Sequence, residues 1–156
     1  DPRIIDITLD QQSILWRSAD VEQERRIAIF DLLEDNSFKP ARVSAEGPYA
    51  LHMSIVGNYI LLDVRNPETF QPIAAHYLSL TPFRRLIRDY FRICDAYYEA
   101  IRIATPSRIE AIDMGRRGVH DEGAAILSER LTGKIETDGA TARRLFTLIC
   151  ALQFRG

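Results

Sequence analysis

The stretch that most constrains the fold lies in the first half of the chain, where YALHMSIV and YILLDVR flank the pair Gly57-Asn58. Both runs alternate apolar with other side chains, and such a pair between two alternating runs is typical of a two-residue hairpin turn. The turn fixes a register in which Met53 faces Leu62. Since the apolar residues of both runs then share one face, the sequence predicts an antiparallel hairpin with one buried side.

Two further strands and one helix are predicted around this hairpin. The segment from Arg3 to Leu9 alternates in the manner of a strand, and Pro72 to Leu80 predicts another strand beside the second arm of the hairpin. Between them, VEQERRIAIFDLLEDN has helical periodicity. Its predicted apolar face contains Val21, Ala28, Ile29, Leu32 and Leu33, widened by Ile27 and Phe30.

From Thr81 onward the sequence predicts helices, which begin at Thr81-Pro82, at Thr105-Pro106, near Asp121 and at Asp138. The stretch KIET is predicted to be short and extended. The fold class is therefore α+β, with a largely antiparallel sheet of about four or five strands and one helix in the N-terminal half, packed against about four helices in the C-terminal half. We expect residues 1–156 to form a single domain, mainly sheet over 1–80 and helical over 81–156.

Composition excludes several classes of protein. The chain has 156 residues, a net charge of -2 and a pI near 5.9, which argues against nucleic acid as a partner. Cys94 and Cys150 fall within apolar helical patterns and lack metal-ligand spacing, so we expect small buried side chains in a reducing cytoplasm. No segment predicts a membrane span, a metal site or a cofactor motif. Trp16 is predicted to anchor the first loop against the sheet.

The first candidate site is MGRRGVHDEG, from Met114 to Gly123. One interpretation is a corner between two helices, with glycines at the turn and acids at the start of the next helix. The other is an anion site in which Arg116 and Arg117 hold a phosphate or carboxylate and His120 supplies a proton. The sequence leaves both open, and the corner is the more common outcome.

A second candidate is the arginine row on the helix after Thr81. Arg84 and Arg88 are spaced by four and have no obvious local partner, whereas Arg85 can pair with Asp89. The row is either a solvated face of an amphipathic helix or a basic surface for an acidic partner.

The polar face of the hairpin places His52 opposite Asp63, with Ser54 nearby on the same side. A nucleophilic triad also needs an oxyanion hole and a cleft, and a flat sheet face offers neither. We therefore predict a solvated face with a cross-strand His–Asp pair, and assign no catalytic residue there.

Three segments, HYLSLTPFRRLIRDYF, ATPSRIEAIDMGRRGVHDEGA and ERLTGKIETDGATARRLFTLICAL, resemble a small bacterial family that carries only an "uncharacterised protein family" placeholder name. The resemblance covers nearly the whole chain. It implies a bacterial cytoplasmic protein and carries no activity over to any residue.

These observations favour a non-enzymatic interaction or regulatory protein that uses an arginine-rich helical surface. The candidate binding residues are Arg84, Arg88, Arg116, Arg117 and His120. The alternative is an enzyme or small-molecule binder for a phosphorylated or carboxylated ligand held by Arg116 and Arg117, with His120 as acid or base. A pocket around Arg116 or His120 would favour the ligand binder, and an open face would favour the adaptor. The partner is thus an unknown protein or a small anion, and a homodimer is an assembly that the sheet edge allows.

Overall fold

The central hairpin forms in the register that its sequence predicts. Strands β3 (Tyr49–Val56) and β4 (Tyr59–Arg65) pair antiparallel, with Met53 opposite Leu62. Gly57 has a φ of 59°, the left-handed conformation that such a turn requires and that glycine adopts without strain. Leu51, Met53, Ile60, Leu62 and Val64 on this side are fully buried and Ile55 is partly buried, so the pattern and the turn chemistry agree.

The computed structural model describes residues 1–10 and 19–153. Besides the hairpin, these residues form β1 (Ile4–Leu9), α1 (Ala19–Glu34), β2 (Phe38–Pro40), β5 (Pro72–Ser79), a 3-10 turn (Thr81–Phe83), α2 (Arg84–Ile103), α3 (Pro106–Arg130), β6 (Ile135–Thr137) and α4 (Gly139–Gln153). The α+β fold class is confirmed.

The main sheet has the strand order β1-β3-β4-β5. β1 pairs with β3 in parallel, and the other two pairings are antiparallel, so the sheet is largely antiparallel as predicted. The predicted extended piece KIET forms β6, which pairs with β2 in a separate two-stranded ribbon. This ribbon connects the end of α1 to the start of α4.

The predicted apolar face of α1 is partly wrong. Val21, Ala28 and Leu32 are buried, but Phe30 is 64 % exposed, Ile27 is 44 % exposed and Leu33 is 39 % exposed. The inward positions of this helix follow the series 21, 24, 28 and 32, which also buries the charged residue Glu24. A helix with apolar side chains nearly all round leaves its orientation to tertiary packing, here against α4.

The prediction of a helix corner at MGRRGVHDEG is also wrong, because α3 runs unbroken from Pro106 to Arg130. Glycine in a helix interior costs about 1 kcal/mol relative to alanine, which packing against α2 and α4 can offset. The reason for Gly123 is steric. A Cβ at this position would lie 2.5 Å from atoms of the Phe146 ring on α4, so only glycine allows the two helices to approach this closely.

The core draws residues from the sheet and from all four helices. Cys94 and Cys150 are both free and buried within it, as predicted. Among the described residues, no helix is long and apolar enough to cross a membrane, and no group of His, Cys, Asp and Glu side chains could hold a metal ion. The predicted anchor Trp16 lies outside the described residues.

Candidate functional site

The unbroken α3 helix places Arg116 and His120 in a cleft between α1, α3 and α4, which we term the arginine cleft. The cleft has a volume of about 180 Å³. Arg116 and His120 lie one turn apart on α3, so they project toward the same side. The lining residues are Glu24, Ile27, Ala28 and Asp31 from α1, Arg116 and His120 from α3, and Arg143, Arg144 and Thr147 from α4.

The base of the cleft is a buried ion pair. Glu24 is 5 % exposed, and its Oε1 lies 3.2 Å from an Nη atom of Arg116. The Tyr98 hydroxyl donates to Oε2 of Glu24 over 2.8 Å, and the Arg116 guanidinium lies 4.8 Å from the centre of the Tyr97 ring. These contacts satisfy a carboxylate that would otherwise be costly to bury.

Arg116 remains charged although it is partly buried. Burial alone would lower its pKa, but the carboxylates of Glu24 and Asp113 outweigh this effect and raise the pKa of Arg116. Its Nε atom is buried and has no hydrogen-bond partner among the described residues. Arg116 therefore keeps its positive charge, and its Nε–H donor is unpaired among the described residues.

His120 is 7 % exposed, and its Nδ1 lies 2.9 Å from the backbone carbonyl oxygen of Arg116. Because a carbonyl can only accept, Nδ1 carries the proton, and Nε2 is left as an acceptor in the neutral ring. Burial is the main cause that lowers the pKa of His120, and the guanidiniums of Arg116 and Arg143 also lower it. The ring is thus neutral near pH 7 and adds no positive charge to the cleft.

The α4 side of the cleft carries two adjacent arginines. Arg143 forms an ion pair with the exposed carboxylate of Asp121, and Arg144 donates to the backbone carbonyl of Asp35 over 3.0 Å. Burial lowers the pKa of Arg143, and the charges of Arg116, Arg117 and Arg144 lower it further. Such mutual repulsion between cations is relieved when an anion binds among them.

The other predicted binding residues lie outside the arginine cleft. Arg117 is 69 % exposed and forms an ion pair with Asp113 at 2.9 Å. Arg84 donates to the side-chain oxygen of Asn58 in the hairpin turn, and Arg88 is exposed on α2. The structure therefore brings together Arg116 and His120, and does not bring Arg84, Arg88 or Arg117 to them.

The polar face of the hairpin does not assemble the contacts of a triad. His52 lies opposite Asp63 as the register requires. However, Nδ1 of His52 is 2.6 Å from the Thr8 hydroxyl, and Asp63 accepts from Arg65 over 3.0 Å. The predicted cross-strand His–Asp pair is replaced by these two contacts.

The sequence offered one unused signal for the site. Glu24 falls on the inward series of α1, where a carboxylate needs a cationic partner, and an arginine is the residue best suited to supply it. Asp31 was missed because its position relative to α4 depends on how the two helices pack. Arg143 and Arg144 stand out as an adjacent pair, but nothing in the sequence places them beside Arg116.

Comparison with known proteins shows the family. A family model described as "Uncharacterised protein family (UPF0262)" matches residues 1–155, and the chain belongs to this family. A UPF0262 protein of Azorhizobium caulinodans is 55 % identical over 154 residues, covering 99 % of this chain and 95 % of that protein. One from Rhodopseudomonas palustris is 57 % identical over 153 residues, covering 98 % and 93 %. No solved structure shows significant similarity to the chain.

Proposed function

We propose that this member of the UPF0262 family is a cytoplasmic, non-enzymatic interaction protein that binds an acidic side chain of a partner protein in the arginine cleft. The observation that carries the proposal is the convergence of three guanidiniums in a small cleft with an apolar border. Arg116, Arg143 and Arg144 line the cleft together with two carboxylates, those of Glu24 and Asp31, so the lining itself has an excess of positive charge. Arg116 and Arg143 also pair with Asp113 and Asp121, whereas Arg144 forms no ion pair among the described residues. Guanidiniums are well suited to bind a carboxylate through paired hydrogen bonds.

A cleft around Arg116 and His120 is the feature expected of a small-molecule binder, but the size of this cleft favours a side chain over a free metabolite. Sites for small molecules commonly enclose about 300–1,000 Å³. The arginine cleft, at about 180 Å³, is below this range. A volume of this size can admit the carboxylate of one Asp or Glu side chain, and the rest of the ligand must then lie on the surface outside.

Exposed apolar side chains of α1 lie beside the cleft, as a protein partner requires. Ile27 forms part of the cleft wall, and Phe30 lies one turn further along α1 with most of its side chain in solvent. Leu33 continues this exposed stripe. Exposed apolar side chains beside charged ones are characteristic of protein interfaces, and they suit a segment that carries both acidic and apolar residues.

The experiment uses a labelled helical peptide of alternating Leu and Glu pairs and the same peptide with Gln in place of Glu. Fluorescence anisotropy with the full chain should show saturable binding of the acidic peptide, and about tenfold weaker binding of the Gln peptide. The variant Arg143→Gln/Arg144→Gln should lose about tenfold in affinity, and Phe30→Ser should weaken binding to a similar degree. Arg84→Gln/Arg88→Gln is the matched control and should bind as the native chain does.

Two results would overturn this proposal. If glutarate alone displaces the peptide at concentrations near the dissociation constant of the peptide, the cleft is a small-molecule site, and the surface of α1 contributes nothing. If the peptide binds equally to the native chain and to Arg143→Gln/Arg144→Gln, the arginine cleft is not its binding site.

Self-association through β5 is a separate prediction. β5 is an edge strand, and Leu80, just after it, donates its backbone N–H to the carbonyl of Asn58, just before β4. In an antiparallel pair the backbone groups of every second residue point toward the partner strand, so those of Ala75 and Tyr77 point away from β4 toward the open edge. The strand PIAAHYLS carries no Asp, Glu, Lys or Arg that would oppose pairing with a second copy.

Ala75→Pro removes an outward N–H, so light scattering after gel filtration should show a dimer for the native chain and a monomer for the variant. A native monomer at about 100 μM, far above the concentrations at which specific dimers dissociate, contradicts the prediction.

A further inference from the structure

The chain contains only two lysines, against eighteen arginines, and both line the same cavity. This cavity, the lysine pocket, has a volume of about 390 Å³ and lies between the β2–β6 ribbon and the end of α3. Its wall includes Lys39, Pro40, Ala41, Thr132, Lys134 and Ile135. It is larger than the arginine cleft and lies within the usual range for small-molecule sites.

The backbone fixes the two lysines relative to each other. Lys39 lies on β2 opposite Glu136 of β6, and the N–H of Ala41 donates to the carbonyl of Lys134 over 2.8 Å. Gly133, with a φ of 79°, turns the chain after α3 so that Lys134 enters the ribbon. Lys39 therefore starts from β2, and Lys134 starts from the residue just before β6, whose carbonyl is hydrogen-bonded to Ala41.

The two ammonium groups are not neutralised within the fold. In the part of the chain that the structure describes, neither lysine forms an ion pair, whereas Arg85, Arg116 and Arg143 each contact a carboxylate. Lys134 also acts on His76, whose pKa is lowered first by burial and then by the charge of Lys134. The pocket thus combines two cations with one acid, Glu136, in its wall.

We propose that the lysine pocket binds a small phosphate monoester, with Lys39 and Lys134 on the phosphate and Pro40, Ala41 and Ile135 against an apolar body. Lysine is a compact charge that pairs with a phosphate dianion without requiring planar geometry, and two such charges match the two negative charges of a monoester. The hydroxyl of Thr132 lies in the same wall and is able to contact a phosphate oxygen. This site and its ligand are independent of the arginine cleft.

The small number of lysines allows a direct test. Reductive methylation of the full chain with ¹³C-formaldehyde retains the positive charge and gives two lysine signals in an NMR spectrum, which Lys39→Arg and Lys134→Arg assign. Titration with phenyl phosphate should move both signals saturably and with a common midpoint. Inorganic phosphate, which lacks the apolar body, should require about tenfold higher concentration, and benzyl alcohol, which lacks the charge, should leave the signals in place.

Single substitutions then test whether both lysines act together. In Lys39→Gln the remaining signal, that of Lys134, should require about tenfold more phenyl phosphate for the same shift. Arg143→Gln/Arg144→Gln should titrate as the native chain does, which separates this site from the arginine cleft. The proposal is overturned if the lysine signals do not move, if they move only in proportion to ionic strength, or if Lys39→Gln leaves the titration of Lys134 unchanged.

Discussion

Replacing Gly123 with alanine should destabilise the protein by about 2 kcal/mol, although alanine is the better helix former. The new methyl group would lie 2.5 Å from atoms of the Phe146 ring, which is itself fully buried. Overpacking of a core typically costs about 1–3 kcal/mol, and a contact this short places the cost at about 3 kcal/mol. The higher helix propensity of alanine offsets about 1 kcal/mol of this cost, which leaves the net loss of about 2 kcal/mol. We expect a fall in melting temperature of roughly 4–8 °C, measured by circular dichroism.

Gly118 provides the matched control, because the same substitution in the same helix meets nothing within 4 Å. Gly118→Ala should therefore stabilise the protein by about 0.5–1 kcal/mol. The double variant Gly123→Ala/Phe146→Leu should lose less stability than the sum of the two single losses, since the smaller side chain at 146 makes room for the methyl group. Equal melting temperatures for Gly118→Ala and Gly123→Ala would contradict the steric reason for Gly123.

Replacing Glu24 with alanine should cost about 3 kcal/mol. The substitution removes the carboxylate that faces Arg116 and leaves the Tyr98 hydroxyl without its acceptor. Breaking a buried ion pair on one side commonly costs about 3–5 kcal/mol, and we take the lower end because Arg116 keeps Asp113 at 3.6 Å. Chemical denaturation should show the loss as a lower midpoint with an unchanged slope.

The control for this prediction removes both charges. Glu24→Leu/Arg116→Leu leaves no uncompensated guanidinium, so it should be within about 1–2 kcal/mol of the native chain and more stable than Glu24→Ala. If the double variant is the less stable of the two, the ion pair itself stabilises the fold, and the unpaired charge is not the cause of the loss.

The local features of the fold could be predicted from the sequence, whereas the packing between distant elements could not. The hairpin register follows from Gly57-Asn58 and the alternation around it, and the structure has it residue by residue. Thr105 was identified as the start of a helix, and its hydroxyl accepts from the N–H of Arg108. At the start of α4, the carboxylate of Asp138 likewise accepts a hydrogen bond from the N–H of Thr141. These features depend on atoms a few residues apart, which the sequence specifies directly.

The candidate site was predicted only in part. Arg116 and His120 were identified, but so were Arg84, Arg88 and Arg117, which the fold places elsewhere. The three guanidiniums line one cleft because α4 packs against both α1 and α3, which brings together residues more than twenty positions apart. No local pattern in the sequence encodes which helix faces which, so the composition of the cleft was beyond sequence reasoning.

By itself the sequence determined the fold class, the strand register and the starts of α3 and α4, because turns and caps are short-range hydrogen-bonded structures. Only the tertiary structure decided that α3 continues through Gly115 and Gly118, that Gly123 serves contact with Phe146, and that α1 turns Phe30 outward. Each of these depends on packing between elements, where the free energy of burying apolar surface exceeds the roughly 1 kcal/mol differences in local propensity. Packing between elements therefore overrides the local helix propensity at these positions.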